Sequence, residues 1–155
     1  MILFSSSLSF SQTNRKNYEF VIDSLLTENR KMFVEPDSFI DLSSYLFIQV
    51  ENLVFDSCQT QSDLNISSYS RMKQIKLILD KKKHYLVNTL ENSEAKKFIK
   101  AHKKWLKQVD YEFKTIIEST KSDGSESPFK ESEFYIRNYI FRIISYQIYI
   151  YELSN

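Results

Sequence analysis

The residues that could do acid–base or metal chemistry are few, and their spacing does not favour either. The two histidines, His84 and His102, each lie beside lysines that would repel a metal cation. Both are predicted to be surface or half-buried side chains. Asp110 and Glu112 are two residues apart on a predicted helix, so they do not face each other as an acid–base pair would. We therefore predict no catalytic, cofactor-binding or metal-binding residue, and a protein that is not an enzyme.

The single cysteine and the single glycine exclude two further kinds of site. Cys58 has no partner for an internal disulfide, so it is predicted to be a free, partly buried thiol or an intermolecular one. A catalytic thiol is the least favoured interpretation. A phosphate-binding loop needs several glycines, so none is predicted here.

A central amphipathic helix is predicted over residues 94–117. Its apolar residues recur at three- and four-residue steps, as one face of an α-helix requires. Trp105, the only tryptophan, lies in the middle of this face and is expected to be buried. Asn92 or Ser93 is expected to cap the helix. The predicted face comprises Phe98, Ala101, Trp105, Val109, Phe113 and Ile116, widened by Ile99, Leu106 and Ile117.

The remaining pattern predicts an all-α fold, an antiparallel helical bundle of about five helices. One glycine and two prolines leave little material for β-turns. The other helices are predicted over residues 14–31, 38–56, 64–90 and 134–153, with a loop over 121–128. Residues 146–151 also have β character. The last helix contains Arg137, Arg142 and Glu152, so it is not predicted to span a membrane.

Residues 101–112 also resemble a motif of the LprI-type lysozyme inhibitors, a run of the form Ala-x-x-x-Trp-Leu-Lys-x-x-Asp-x-Glu. Upstream and downstream residues match other parts of that family in the same order. Phe113 and Phe134 stand where the family has cysteines, and these two aromatics can replace a covalent link by packing. The motif residues, mainly structural, are Cys58, Leu64, Asn65, Tyr69, Leu79, Asp80, Ala101, Trp105, Leu106, Asp110, Glu112 and Arg142.

The resemblance divides the chain into three predicted parts. Residues 1–11 are uncharged and resemble the apolar end of a secretory signal peptide without its basic start. Residues 12–57 are predicted to be an N-terminal helical extension, and residues 58–155 the LprI-like domain. The expected location is therefore periplasmic or secreted.

The charges are distributed unevenly along the chain. Residues 71–107 have a balance of +9 and the rest a balance of −8. Lys81, Lys82 and Lys83 are predicted to form a solvated patch. A second lysine run on the central helix is either a solvated face or a surface for an anionic glycan, lipid headgroup or nucleic acid. Because arginine is scarce and export is expected, nucleic acid is not predicted as the partner. This second run is Lys96, Lys97, Lys100, Lys103, Lys104 and Lys107.

The resemblance implies inhibition of lysozyme or another cell-wall hydrolase, by steric and electrostatic blocking of its cleft. Acidic residues near the predicted loop would meet a basic enzyme, and Glu126, Glu131 and Glu133 are the candidate partner-binding residues. The alternative is an envelope interaction or scaffold module without inhibitory activity. No cofactor is expected in either case.

Overall fold

The computed structural model describes residues 18–28, 44, 45, 48, 49, 60–117 and 127–154. These residues are helical except at a few turn and cap positions, and none of them lies in a strand. The fold is therefore all-α, as predicted. The predicted signal remnant, Cys58, Glu126 and most of the helix expected over 38–56 lie outside the described residues.

The first described helix, α1, covers residues 18–28. Tyr18, Ile22 and Leu26 recur every four residues and are almost completely buried. They belong to the same core cluster as the later helices. Residues 44, 45, 48 and 49 are also helical.

The second helix, α2, is Gln61–Thr89. Its start is fixed by Thr60, whose hydroxyl accepts a hydrogen bond from the Asp63 backbone N–H at 3.1 Å. The same hydroxyl donates to the Asp63 carboxylate at 2.7 Å, so Thr60 and Asp63 are joined by two hydrogen bonds. This cap places the start three residues before the predicted Leu64.

The third helix, α3, is Asn92–Glu112, followed by a π-helical turn, Phe113–Ile117. Glu91 occupies the N-cap and makes no side-chain capping bond, so the predicted cap at Asn92 or Ser93 is wrong. The predicted α-helix to Ile117 is also corrected, since the last five residues have the wider π geometry.

The buried side of α3 is rotated around the helix axis, by about one residue position, from the predicted apolar face. Ala95, His102 and Val109, seven residues apart, are the buried residues. Trp105 is half-buried against the core, whereas Ala101 and Ile116 are exposed. The prediction centred the face on Trp105 because histidine was not counted among the residues that can face a core.

The fourth helix, α4, is Ser127–Leu153. It begins earlier than the predicted Phe134 and includes Pro128, which lacks a backbone N–H and therefore suits the first turn of a helix. Residues 146–151 are helical despite their β character. The buried row of α4 packs mainly on α2 and includes Ile136, Tyr139, Ile140, Ile143, Ile144 and Tyr146.

No helix among the described residues is long and apolar enough to cross a lipid bilayer.

Candidate functional site

The polar chemistry of the interior is concentrated where α3 meets α4, around His102. This side chain is 6% exposed, so the prediction of a surface or half-buried histidine is wrong for His102, whereas His84 is exposed. The His102 Nδ1 atom lies 2.6 Å from the Tyr146 hydroxyl. Its ring also lies 5.6 Å from the Trp105 ring, between centroids. The histidine is thus a core residue that joins two helices by a hydrogen bond.

Burial sets the protonation of this pair. Desolvation, followed by the positive charge of Lys83, lowers the pKa of His102 from 6.5 to about 4. Desolvation also raises the pKa of Tyr146 to about 12, against the opposing effect of Arg142. At neutral pH both partners are therefore uncharged, and a neutral hydrogen bond fits a low-dielectric interior at little cost.

Trp105 and Arg142, two residues of the family-like motif, contact each other beside this pair. The Arg142 guanidinium carbon lies 4.4 Å from the Trp105 ring centroid and 5.9 Å from that of Tyr146. Burial lowers the pKa of Arg142, but the aromatic faces offer the cation partial compensation. The Trp105 ring also meets Tyr139 edge-on at 6.3 Å. These contacts make the cluster a packed junction of α3 and α4.

A second polar junction joins α2 to α4. Arg71 is buried and forms an ion pair with Glu133, whose carboxylate also accepts a hydrogen bond from the Ser68 hydroxyl at 3.2 Å. Glu133 was expected to face a partner, but its side chain is only 15% exposed. Its charge is therefore engaged within the protein and is not a surface charge.

Of the other two candidate partner-binding residues, the structure describes one. Glu131 is exposed near the start of α4, whereas Glu126 lies outside the described residues. Asp110 and Glu112, at the end of α3, lie at the same end of the molecule as Glu131. The Tyr135 hydroxyl donates to the Asp110 carboxylate at 3.1 Å. The pKa of Tyr135 is raised mainly by burial, then by this hydrogen bond, and further by the negative charge of Glu131.

We call Asp110, Glu112 and Glu131 the acidic end. Asp110 and Glu131 both act on Tyr135, whereas Glu112 is half-buried and accepts a hydrogen bond from the Gln108 amide at 2.9 Å.

The Phe113 ring lies 5.7 Å from Phe134 and 5.5 Å from Tyr135. The predicted packing of Phe113 against Phe134 is thus confirmed. Ile116, in the π-helical turn that follows α3, is 54% exposed.

The two lysine groups of the sequence differ in their surroundings. Lys81 pairs with Glu19, Lys82 with Asp23 and Lys83 with Asp80, at 2.6, 2.9 and 3.2 Å. The predicted solvated patch is therefore an ion-paired seam, and two of its pairs join α2 to α1.

The lysines of α3 behave differently. All six are exposed, and none has an ion pair or hydrogen bond with another described residue. We call this surface the lysine face. It comprises Lys96, Lys97, Lys100, Lys103, Lys104 and Lys107.

Other residues of the family-like motif lie in or against the core, or contact neighbouring side chains. Leu79 is in the core, and Leu106 is half-buried against it. Asp80 accepts from Lys76 and Lys83, and these bonds outweigh burial, so its pKa is lowered. Tyr69 is half exposed with Lys73 over its ring at 4.4 Å. Asn65 accepts a hydrogen bond from Gln61 at 3.2 Å, and Leu64 is half-buried.

Among the described residues, no group of three histidine, cysteine, aspartate or glutamate side chains is arranged to hold a metal ion. The open depression on α1, lined by Glu19, Phe20, Asp23, Ser24, Thr27 and Glu28, has two of its carboxylates paired with the lysines of α2.

His102, Tyr146 and Arg71 are interior polar residues that sequence reasoning missed. The available signal was the seven-residue spacing of Ala95, His102 and Val109, which places the histidine on the central buried row. Comparison with known proteins adds no further assignment, because no family model, curated protein or solved structure matches the chain.

Proposed function

We propose that this protein is a secreted or periplasmic inhibitor of a lysozyme or a related cell-wall hydrolase, and that it acts by binding and not by catalysis. The proposal rests on the resemblance of residues 101–112 to the LprI-type inhibitors. The observation that carries it is the acidic end, where the exposed Asp110 of α3 and the exposed Glu131 of α4 both act on Tyr135. Ile116, six residues after Asp110, is also exposed.

The mechanism would be occlusion of the enzyme's cleft. Asp110, Glu112 and Glu131 would attract a basic enzyme and orient the encounter, because complementary charges mainly raise the association rate. Ile116 would supply apolar area at the centre of the contact. The motif residues Trp105 and Arg142 would act indirectly, since they hold α3 against α4 below this surface.

The proposal extends to the architecture and the location. We infer an antiparallel bundle of about five helices. Contacts between α3 and α4 support it, since Trp105 meets Tyr139 and the later Phe113 meets the earlier Phe134. We also propose export, in which residues 1–11 are the remnant of a signal peptide. Protein from the native host would then begin near Gln12, and an intact Met1 on a cytoplasmic protein would overturn this part.

The experiment is lysis of cell walls by a basic lysozyme with the purified protein added. We expect inhibition at low salt, and loss of most of it in the double variant Glu112→Lys, Glu131→Lys. The matched control is Glu91→Lys, Glu94→Lys, which makes the same charge change with exposed residues at the opposite end of α3.

Unchanged lysis in the presence of the wild-type protein would refute the inhibitor proposal. Equal losses in both double variants would show that net charge matters and the acidic end does not. Circular dichroism of each variant confirms that the helices are retained.

The alternative, an envelope interaction module without inhibitory activity, is favoured by a different observation. The lysine face presents six exposed cations that no described carboxylate pairs with, and it points to an anionic partner.

A further inference from the structure

We propose that the lysine face of α3 binds the surface of a membrane that contains anionic phospholipids. This inference uses a different surface from the inhibitor proposal, so either can fail alone. Its starting point is the contrast between two sets of lysines on adjacent helices.

Four of the five lysines of α2 are neutralised by carboxylates, and the fifth, Lys73, lies over the Tyr69 ring at 4.4 Å. Lys76, Lys81, Lys82 and Lys83 each have a carboxylate oxygen within 3.2 Å. The six lysines of α3 have none among the described residues. Even Asp110, one turn after Lys107, has its carboxylate engaged by the Tyr135 hydroxyl.

The lysine face also works against the stability of its own helix. Like charges three or four residues apart on a helix repel each other. Lys100 has such neighbours on both sides, at Lys96 and Lys97 before it and at Lys103 and Lys104 after it. A helix that only needed solubility would interleave both signs of charge. The uninterrupted positive sign is therefore better explained by an anionic surface that relieves the repulsion.

The geometry of the lysine face fits a broad surface. The lysines occupy the side of α3 opposite the buried row of Ala95, His102 and Val109. From Lys96 to Lys107 they extend about 17 Å along the helix, at 1.5 Å per residue. Tyr111 follows one turn later on the same side and is 64% exposed. Tyrosine beside lysine is the composition of a surface at a lipid headgroup layer.

The chemistry of the face favours lipid over nucleic acid. Sequence readout in a duplex uses arginine, lysine, asparagine or glutamine at base edges. Gln108 lies beside the lysines, but its amide donates to Glu112 at 2.9 Å, which leaves base readout to lysine. Single-stranded nucleic acid requires several aromatic platforms, and this side of α3 exposes one, Tyr111. Fluid anionic headgroups need neither, since they rearrange to meet flexible lysine charges. The contact that we propose is peripheral, because it is made by lysine side chains with headgroups.

The test is co-sedimentation of the full chain with vesicles of phosphatidylcholine alone or mixed with phosphatidylglycerol. We expect binding to the anionic vesicles only. Ionic strength near 1 M should abolish it, because the Debye length is then about 3 Å. Trp105 is packed on the opposite side of α3, so its fluorescence should report a folded protein throughout.

Two triple variants with equal net charge locate the surface. Lys97→Gln, Lys100→Gln, Lys104→Gln should weaken partitioning by roughly 100-fold, since each lysine near an anionic membrane gives about a fivefold gain. The control Lys73→Gln, Lys76→Gln, Lys130→Gln removes the same charge from exposed lysines of α2 and α4 and should weaken it much less. Tyr111→Ser should lower partitioning without changing its salt dependence.

Three outcomes would overturn the proposal. The first is equal binding to neutral and anionic vesicles, or to neither. The second is an equal loss in the two triple variants, which would mean that net charge and not the lysine face governs binding. The third is tighter binding to a DNA duplex than to anionic vesicles at the same salt, lost only in the α3 variant, which would assign the face to nucleic acid.

Discussion

His102 and Tyr146 show how one buried pair makes the interior sensitive to pH. An unfolded histidine titrates near 6.5, whereas burial lowers the pKa of His102 to about 4. Lys83 and Arg142 add to the shift, and Asp80 opposes it. Acid therefore protonates the unfolded chain first, so the stabilisation is complete above about pH 6.5 and is lost as the pH falls toward 4.

We expect the free energy of unfolding to fall by about 2 kcal/mol between about pH 7 and pH 5 because of this residue. Denaturant titrations across this range measure it. In His102→Leu the slope should be reduced by that amount, although the variant is also less stable because Tyr146 loses its partner. His84→Gln, at an exposed histidine, is the matched control for loss of an imidazole. An identical slope in His102→Leu would contradict the assignment of a buried neutral imidazole.

Two elements, α1 and the turn after α3, show which interactions hold the helices in place. The ion pairs between α1 and α2 are conspicuous, but Lys81 is 53% exposed and its partner Glu19 34% exposed. Exposed pairs contribute little because solvent screens them. Ile22, in contrast, is completely buried in the shared core.

We therefore expect Ile22→Ala to lower the free energy of unfolding by about 2–5 kcal/mol, through lost apolar burial and a residual cavity. Lys81→Ala should lower it by less than about 1 kcal/mol. Chemical denaturation of both variants compares them directly. If the lysine variant were the more damaging of the two, α1 would be held by charge and not by its apolar row.

The Phe113–Phe134 contact should couple the π-helical turn to α4. Aromatic pairs contribute about 0.5–1.5 kcal/mol beyond the area they bury. A double-mutant cycle of Phe113→Ala and Phe134→Ala should give a coupling energy of that size. Additive losses would mean that the rings are neighbours without a mutual interaction. The control cycle pairs Phe113→Ala with Phe141→Ala. Phe141 is a partly buried aromatic residue elsewhere on α4, so the two losses of unfolding free energy should be additive.

At the scale of the whole molecule, apolar periodicity was enough to predict the all-α class and the helices around Ile75, Val109 and Ile143. The contact of Phe113 with Phe134 was predicted from the family resemblance, in which both positions are cysteines. Three- and four-residue spacing of apolar residues is a local property, so helices can be predicted from it in the sequence. The helix at residues 146–151 was also predicted correctly against its β propensity, because its surroundings lacked the turns a sheet needs.

Interactions between helices could not be predicted in the same way. The Arg71–Glu133 ion pair joins residues 62 positions apart, and the Lys81–Glu19 pair does the same. Nothing local distinguishes these charges from those of Lys100 or Glu131, which stay at the surface. The candidate site therefore differs from the prediction. Glu133 is paired inside the protein and not at the surface, and His102 is in the core. One group of lysines forms an ion-paired seam and the other an exposed face.

The central claim, that the acidic end binds a basic cell-wall hydrolase, is tested most directly by the association rate of the wild-type protein with a basic lysozyme at several salt concentrations. We predict a measurable complex whose association rate falls steeply as salt rises, while its dissociation rate changes little. In Glu112→Lys, Glu131→Lys the rate at low salt should approach the high-salt value of the wild type. No complex at micromolar protein and low salt, or an association rate that salt leaves unchanged, would contradict the claim.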